Sequence, residues 1–310
     1  MDLRALRYFV EVIQRQSYTA AARALFVTQP TVSKMIRQLE DELGTPVLRK
    51  LGRRIEPTDT GRIVLERGRQ LLALHAQLQA ELSDVRQAAR GELVVGTPPL
   101  AHHLLAPLLT RFHQDYPGVE LRLFERGSRS VEDELKSGTL EIGAMLLPAD
   151  EKEYDTLPIC NFPLRLIVPA SSHWASREQV RLDELAAESF IFYGEGFMLN
   201  EVVHAACVQA GFTPRIAGRS SQWDFIASMV AAGVGLALLP ELFSRQLDRS
   251  RLAVVPLEDP QLWWHLAFAW RRGRYLSFAA RAWLDLARRM LPGDGRATGD
   301  NARLWDEENR

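Results

Sequence analysis

A chain of 310 residues has room for two or three domains, and a hydrophobic content of 46% excludes an intrinsically disordered protein. No run of about eighteen apolar residues exists, so no membrane span is expected; no signal-peptide pattern opens the chain, so a cytoplasmic location is expected. The net charge is only −1, yet residues 1–57 hold ten Lys/Arg against six Asp/Glu. A basic front and an acidic remainder are the charge asymmetry of a nucleic-acid binder.

Leu6, Phe9, Val10 and Ile13 form an i, i+3, i+4, i+7 stripe, which predicts a core-facing first helix. Residues 17–39 then read SYTAAARALFVTQPTVSKMIRQL, the pattern of a helix-turn-helix. A short helix is expected over 19–25, with Ala21 and Ala22 allowing close approach and Phe26 and Val27 filling the turn. Thr28 stands at an N-cap position and Pro30 in the first turn, where a missing N–H costs little. Val32, Ile36, Leu39 and Leu43 mark the buried face of the second helix; Gln29, Thr31, Ser33, Lys34 and Arg37 mark the other. Gln bonds adenine in a bidentate manner, Ser and Thr bond bases or phosphates, and Lys and Arg neutralise phosphates. An ordinary amphipathic helix pair with a solvated polar face is the alternative. Residues 47–57 follow as a hairpin around Leu51-Gly52-Arg53, with Arg49, Lys50, Arg53 and Arg54 on or near it. Beside a recognition helix such a basic hairpin contacts phosphates or the minor groove; by itself it is a surface hairpin.

No proline occurs between Pro57 and Pro98. Gly61, Val64, Gly68, Leu71, His75, Leu78, Leu82, Val85 and Ala89 alternate in steps of three and four, a heptad seam on a long helix. About thirty residues at 1.5 Å each span roughly 45 Å, so the seam needs a partner, most simply the same helix of a second subunit. Two glycines weaken its first half, which leaves Leu71, Leu78, Leu82 and Val85 as the dimerisation residues.

After Gly91 strands and helices alternate. Strands are expected at 93–96, 119–124, 142–147, 164–168, 190–193, 214–217, 235–239 and 265–270. Helices are expected at 104–112, through Val131 and Leu135, at 200–210, up to Gly233 and at 278–290. Ser221-Gln222-Trp223-Asp224 resembles a capping box. The alternation implies an open, largely parallel sheet in two α/β subdomains, the first 91–161 plus 264–291 and the second 162–263. The full division is a winged helix-turn-helix over 1–58, a linker helix over 59–90, an effector domain over 91–291 and a disordered tail over 292–310. Ligands of open α/β sheets bind beyond the carboxyl ends of strands. That rule selects Thr97, Pro98, Pro99, Gly127, Ser128, Leu147, Gly196, Phe197, Gln222 and Trp223, each of which also has a bland reading as a turn, cap or packing residue. Cys160 and Cys207 form no CxxC and read as small buried hydrophobes, with a redox pair as the alternative. His102 and His103 read as helix surface. No nucleophile-elbow, phosphate-loop or zinc-ligand spacing appears, so no catalytic residue, metal or cofactor is expected.

FVTQPTVSKMIRQLEDELGTPVLRK, the PTDTG that follows it, and AAGVGLALLP at 231–240 resemble the LysR-type transcriptional regulators, over about residues 1–290. The resemblance implies a winged helix-turn-helix, a linker-helix dimer and an effector domain like the type 2 periplasmic binding proteins. It also implies tetramers built as dimers of dimers, interrupted palindromes in promoter DNA, a small-molecule effector and recruitment of RNA polymerase. It places Gln29, Pro30, Thr31 and Ser33 at the bases, Arg53 and Arg54 on the wing, and 97–99 with Ser128 in the effector cleft. Pro98 and Pro99 remove two N–H donors from that cleft, which suggests a less polar or aromatic ligand. A DNA-tethered enzyme, a redox sensor and an architectural DNA binder are the competing readings.

Overall fold

The computed structural model describes residues 2–51, 54–85, 91–258 and 262–291, in two compact units. Arg53 and the expected tail over 292–310 lie outside the described residues, as do the side chains of Val85, His102 and His103.

In the N-terminal unit, α1 (Leu3–Arg15) opens where the Asp2 carboxylate accepts the Arg4 N–H at 2.9 Å. It buries Leu6, Phe9 and Val10 together with Val12, while Ile13 is half-buried. Gln16 ends it in left-handed backbone. The Ser17 hydroxyl accepts the Ala20 N–H at 3.2 Å and so begins α2 (Tyr18–Ala24). Ala21 and Ala22 are buried and bring α2 close to α3 (Gln29–Leu43), whose Val32, Ile36 and Leu39 complete the small core. Leu43, on the same face by spacing, is exposed in the last turn.

Gly44, at φ 67°, ends α3 and donates its N–H to the Asp41 carbonyl. Glu40 Oε1 accepts the Val47 N–H at 2.9 Å and so pins the chain beyond the helix. There β1 (Leu48–Leu51) and β2 (Arg54–Pro57) pair antiparallel with Leu51 opposite Arg54, which leaves a two-residue connection.

Thr58 starts α4 (Asp59–Val85). Its hydroxyl accepts the Gly61 N–H at 3.0 Å and donates to the Pro46 carbonyl at 2.7 Å. A Cβ on Gly61 would lie 2.0 Å from the Val47 carbonyl oxygen, and one on Gly68 3.2 Å from Leu6 Cδ2. The first half of the expected heptad seam is therefore occupied by this chain's own α1 and wing. From Leu71 onward an apolar row is exposed: Leu71, Leu74, Leu78 and Leu82 are 42%, 61%, 52% and 56% accessible.

The second unit begins with β3 (Gly91–Thr97), α5 (His102–Asp115), β4 (Val119–Glu125), α6 (Ser128–Ser137) and β5 (Ile142–Leu146). It continues with β6 (Tyr154–Pro169), β7 (Ser189–Tyr193), α7 (Met198–Gln209), β8 (Arg215–Ser220) and α8 (Trp223–Ala231). It closes with β9 (Ala237–Pro240), β10 (Leu252–Pro256), β11 (Trp263–Arg271) and α9 (Phe278–Met290). The strand order is β10-β6-β11-β5-β3-β4, with β9 also on β6, and β7 pairs β8 separately. The expectation of a largely parallel sheet is corrected. β3 is parallel to β4 and β5, but every pairing of β6 and β11 is antiparallel. These two strands carry the chain back and forth between the subdomains, so each runs against the strands it joins. β6 changes partner midway: Pro163 lies opposite Trp263, and the next residue, Leu164, opposite Pro240. α9 returns to the first subdomain, where buried Trp283 meets Phe112 at 5.4 Å and Phe268 at 5.7 Å, both edge-on.

Candidate DNA interface and effector cleft

The tip of α3 is a polar surface on a rigid support. Gln29, Pro30, Thr31, Lys34 and Arg37 are exposed and Ser33 is half-buried, while Val32 and Ile36 on the opposite side are almost fully enclosed. Thr28 occupies the N-cap position by backbone, yet its hydroxyl accepts no helix N–H. Its Oγ1 lies 2.9 Å from Thr31 Oγ1, and its carbonyl accepts the Thr31 N–H. The expected side-chain cap is thus replaced by a pair of exposed hydroxyls at the helix tip. On the wing Arg49, Lys50 and Arg54 are exposed, and Arg49 pairs with Glu56 across the strands at 3.4 Å. Phe26 does not fill the turn between α2 and α3: its ring is exposed.

In the second unit the expected cleft residues sit at strand ends, and backbone bonds bring their loops together. The Arg126 N–H reaches the Thr97 carbonyl at 3.2 Å, the Gly194 N–H the Ser220 carbonyl at 3.0 Å, and the Leu147 N–H the His265 carbonyl at 2.9 Å. Thr97, Pro98 and Ser128 are buried; Pro99, Gly127 and Leu147 are half-buried; Gly196 and Gln222 are exposed. The Thr97 hydroxyl donates to the Pro98 carbonyl at 3.2 Å.

Two expected residues are occupied by packing. Phe197 is buried and stacks on Tyr193, with centroids 5.6 Å apart. Trp223 stacks on Phe243 at 4.9 Å, which in turn meets Trp264. The capping box at 221–224 is also corrected. Gln222 caps α8 by backbone only, and the Asp224 carboxylate accepts the neighbouring Phe225 N–H at 2.9 Å instead of reaching back. Three residues missed by the sequence reading shape the loop after β7. The Asn200 side chain accepts the Tyr193 N–H and donates to the Tyr193 and Gly194 carbonyls, which folds the loop over. Among the described residues the buried Tyr193 hydroxyl has no hydrogen-bond partner, and burial raises its pKa. Arg219 lies over the Phe192 ring at 5.6 Å.

The two subdomain loops meet at Gly127 and Gly196. The Arg129 N–H points to the Gly196 carbonyl at 3.4 Å, and the Arg129 guanidinium pairs with Glu201 at 2.5 Å. That ion pair is solvent-exposed and therefore weak; the close backbone approach is the stronger constraint. A Cβ on Gly127 would lie 2.4 Å from the Gly196 oxygen. Gly127→Ala is expected to part the loops at about 1–3 kcal/mol, lowering the melting temperature by about 2–4 °C per kcal/mol. A melting curve identical to wild type would mean that the loops are already apart in solution.

Cys160 and Cys207 are free, and both thiols are buried. Burial pushes the Cys207 thiol up to about 11 and that of Cys160 higher. Among the described residues no helix is long and apolar enough to cross a membrane.

Residues 3–62 match the bacterial regulatory helix-turn-helix protein family of the LysR type, and residues 86–292 match the LysR substrate-binding domain. The chain belongs to the LysR family of transcriptional regulators. The regulator is 41% identical to an uncharacterized HTH-type transcriptional regulator, YwbI of Bacillus subtilis (strain 168), over 94% of this chain and 97% of that one. It is 29% identical to the hydrogen peroxide-inducible genes activator of Pectobacterium carotovorum subsp. carotovorum, over 90% and 95% of the two chains. Full-length CbnR in complex with its target DNA shares the fold, at a TM-score of 0.63 and 22% identity, covering 93% of this chain and 99% of that one. The regulator is thus a DNA-binding protein with a winged helix-turn-helix and an α/β effector domain, in a family of regulators rather than enzymes.

Proposed function

We propose that the regulator reads bases with Gln29, Pro30, Thr31 and Ser33, and holds phosphates with Lys34, Arg37, Arg53 and Arg54. It does so as a dimer or tetramer on an interrupted palindrome, and it engages RNA polymerase there. The observation that carries this reading is the exposed polar tip of α3, held by a buried apolar face beside a basic hairpin. Gln29→Ala should cost about 1–3 kcal/mol at one base position, while Lys34→Ala should weaken all sequences alike and flatten the salt slope by about one. Equal losses on specific and random duplexes for Gln29→Ala would show that it reads no base.

The cleft built by Thr97, Pro98, Pro99, Gly127, Ser128, Leu147, Gly196, Phe197, Gln222 and Trp223 receives a small, weakly polar or aromatic effector in this proposal. Support comes from the two prolines and the aromatic groups around Tyr193 and Phe243. Thermal melting of the full chain with aromatic carboxylic acids and with small dicarboxylates tests it. A saturable rise with an aromatic acid is expected; a rise with dicarboxylates alone overturns it.

A redox response is the second reading, favoured by the name of the Pectobacterium relative. The reactive form of cysteine is the thiolate, and burial holds both thiols protonated. Rapid reaction of the folded chain with a thiol reagent at neutral pH would bring this reading forward.

A further inference from the structure

Phe26 is strained for no benefit to the fold. Its backbone is left-handed, at φ 54°, a conformation that is an outlier for a bulky side chain. The local bonds explain the conformation but not the residue. The Phe26 N–H reaches the Arg23 carbonyl at 3.2 Å and the Val27 N–H reaches the Ala22 carbonyl at 3.0 Å. These are the two bonds of a Schellman end to α2, with Phe26 at the position that glycine or asparagine fills without steric cost. The ring does not compensate by packing. It is 96% exposed, the highest value of any large apolar residue among those described. Val27, one residue on, is the side chain that turns inward and joins the small core. Backbone strain of this kind persists where a function retains it.

The surroundings identify what covers the ring. Phe26 lies two residues before Thr28 and is continuous in sequence with the exposed tip Gln29, Pro30 and Thr31. We propose that the Phe26 ring makes an apolar contact with the DNA duplex, against deoxyribose carbons or a thymine methyl, at the rim of the groove entered by α3. This inference rests on α3 being the element that enters the groove. An apolar contact releases no counterion, so it adds affinity without adding to the salt dependence. In that respect Phe26 differs from every basic residue around it.

The test uses the full chain and a duplex that the wild-type protein selects from a random-sequence pool. Phe26→Asn and Phe26→Gly suit the left-handed turn, so both should melt at or above the wild-type temperature. Both should bind the duplex about 10-fold more weakly, the effect of exposing an aromatic ring. The slope of log affinity against log salt should stay unchanged, whereas Lys34→Ala, the control, flattens it by about one. Replacing thymine by deoxyuridine separates the two apolar sources: a loss confined to the wild type assigns the methyl, and no loss assigns the sugar. Affinity within twofold of wild type overturns the proposal, as does an altered salt slope. A lower melting temperature in both variants overturns it too, because the ring would then be part of the fold. If the wild type selects no duplex, the groove-reading role of α3 fails first and this contact falls with it. Normal salt-dependent binding by wild type with unaffected Phe26 variants rejects this contact alone.

Discussion

Gly61→Ala is expected to collapse the DNA-binding unit and abolish specific binding. The added methyl would sit 2.0 Å from the Val47 carbonyl oxygen, a backbone atom with no room to retreat. Val47 is fully buried, its N–H is held by Glu40 at 2.9 Å, and its carbonyl accepts the Thr58 N–H at 3.1 Å. Overpacking costs about 1–3 kcal/mol and more where the backbone is the obstacle. In a unit of this size each kcal/mol lowers the melting temperature by about 4–8 °C. Relief requires α4 to swing away from the wing, which would also misplace Arg54 relative to α3. Gly68→Ala is the natural comparison: its methyl would meet only the movable end of Leu6, at 3.2 Å, and should cost much less. Thermal melting and duplex binding of both variants check this, and equal behaviour of the two would refute the argument.

Leu78→Lys is expected to separate the subunits. Leu71, Leu74, Leu78 and Leu82 form the exposed apolar row of α4, and a charge in the middle of a paired row is buried without a partner. Subunits joined by the helix bind two half-sites with an avidity gain of about 100-fold or more. The variant should therefore sediment as a smaller species at micromolar concentration and lose about that factor on a two-site duplex. Its affinity for a single half-site should stay unchanged. An unchanged oligomer would place the subunit contact elsewhere.

The helical parts of the fold were readable because their signals are local. Ala21, Ala22, Val32, Ile36 and Leu39 announce buried faces by spacing, and α9 spans 278–290 as expected. The first half of β6 was not readable. Pro158 and Pro163 interrupt it, yet a register shift opposite Leu266 and Ala267 accommodates the chain near Pro158. Tertiary pairing with β11 supplies what local propensity does not. The seam on α4 was half misread for a similar reason. Spacing cannot tell a helix face that meets the chain's own elements from one that meets a second copy; Gly61 faces the wing at Val47 and Gly68 faces α1 at Leu6. Thr28 was placed correctly as an N-cap by backbone, but its hydroxyl bonds Thr31 instead of a helix N–H, and the cap expected at Ser221 falls one residue later, on Gln222, without a side-chain bond. Phe197 and Trp223 were chosen by strand-end logic, which does not foresee the stacking each ring makes on Tyr193 and Phe243.

The return of α9 to the first subdomain sets an order of events during synthesis. The helix-turn-helix, the wing and α4 are all synthesised by about residue 85, whereas Trp283 must wait for roughly two hundred more residues. At about 5–20 residues per second that interval is tens of seconds at the slow limit. Throughout it, Phe112 has no Trp283 to cover it, and β5 has no β11 beside it. A nascent chain therefore holds a finished DNA reader before it holds a finished receiver. A stop codon ahead of Ala279 would fix that condition permanently. It would release a helix-turn-helix, wing and linker intact, attached to an effector domain with an open core: a protein able to occupy promoters but not to be instructed, until aggregation or proteolysis removes it.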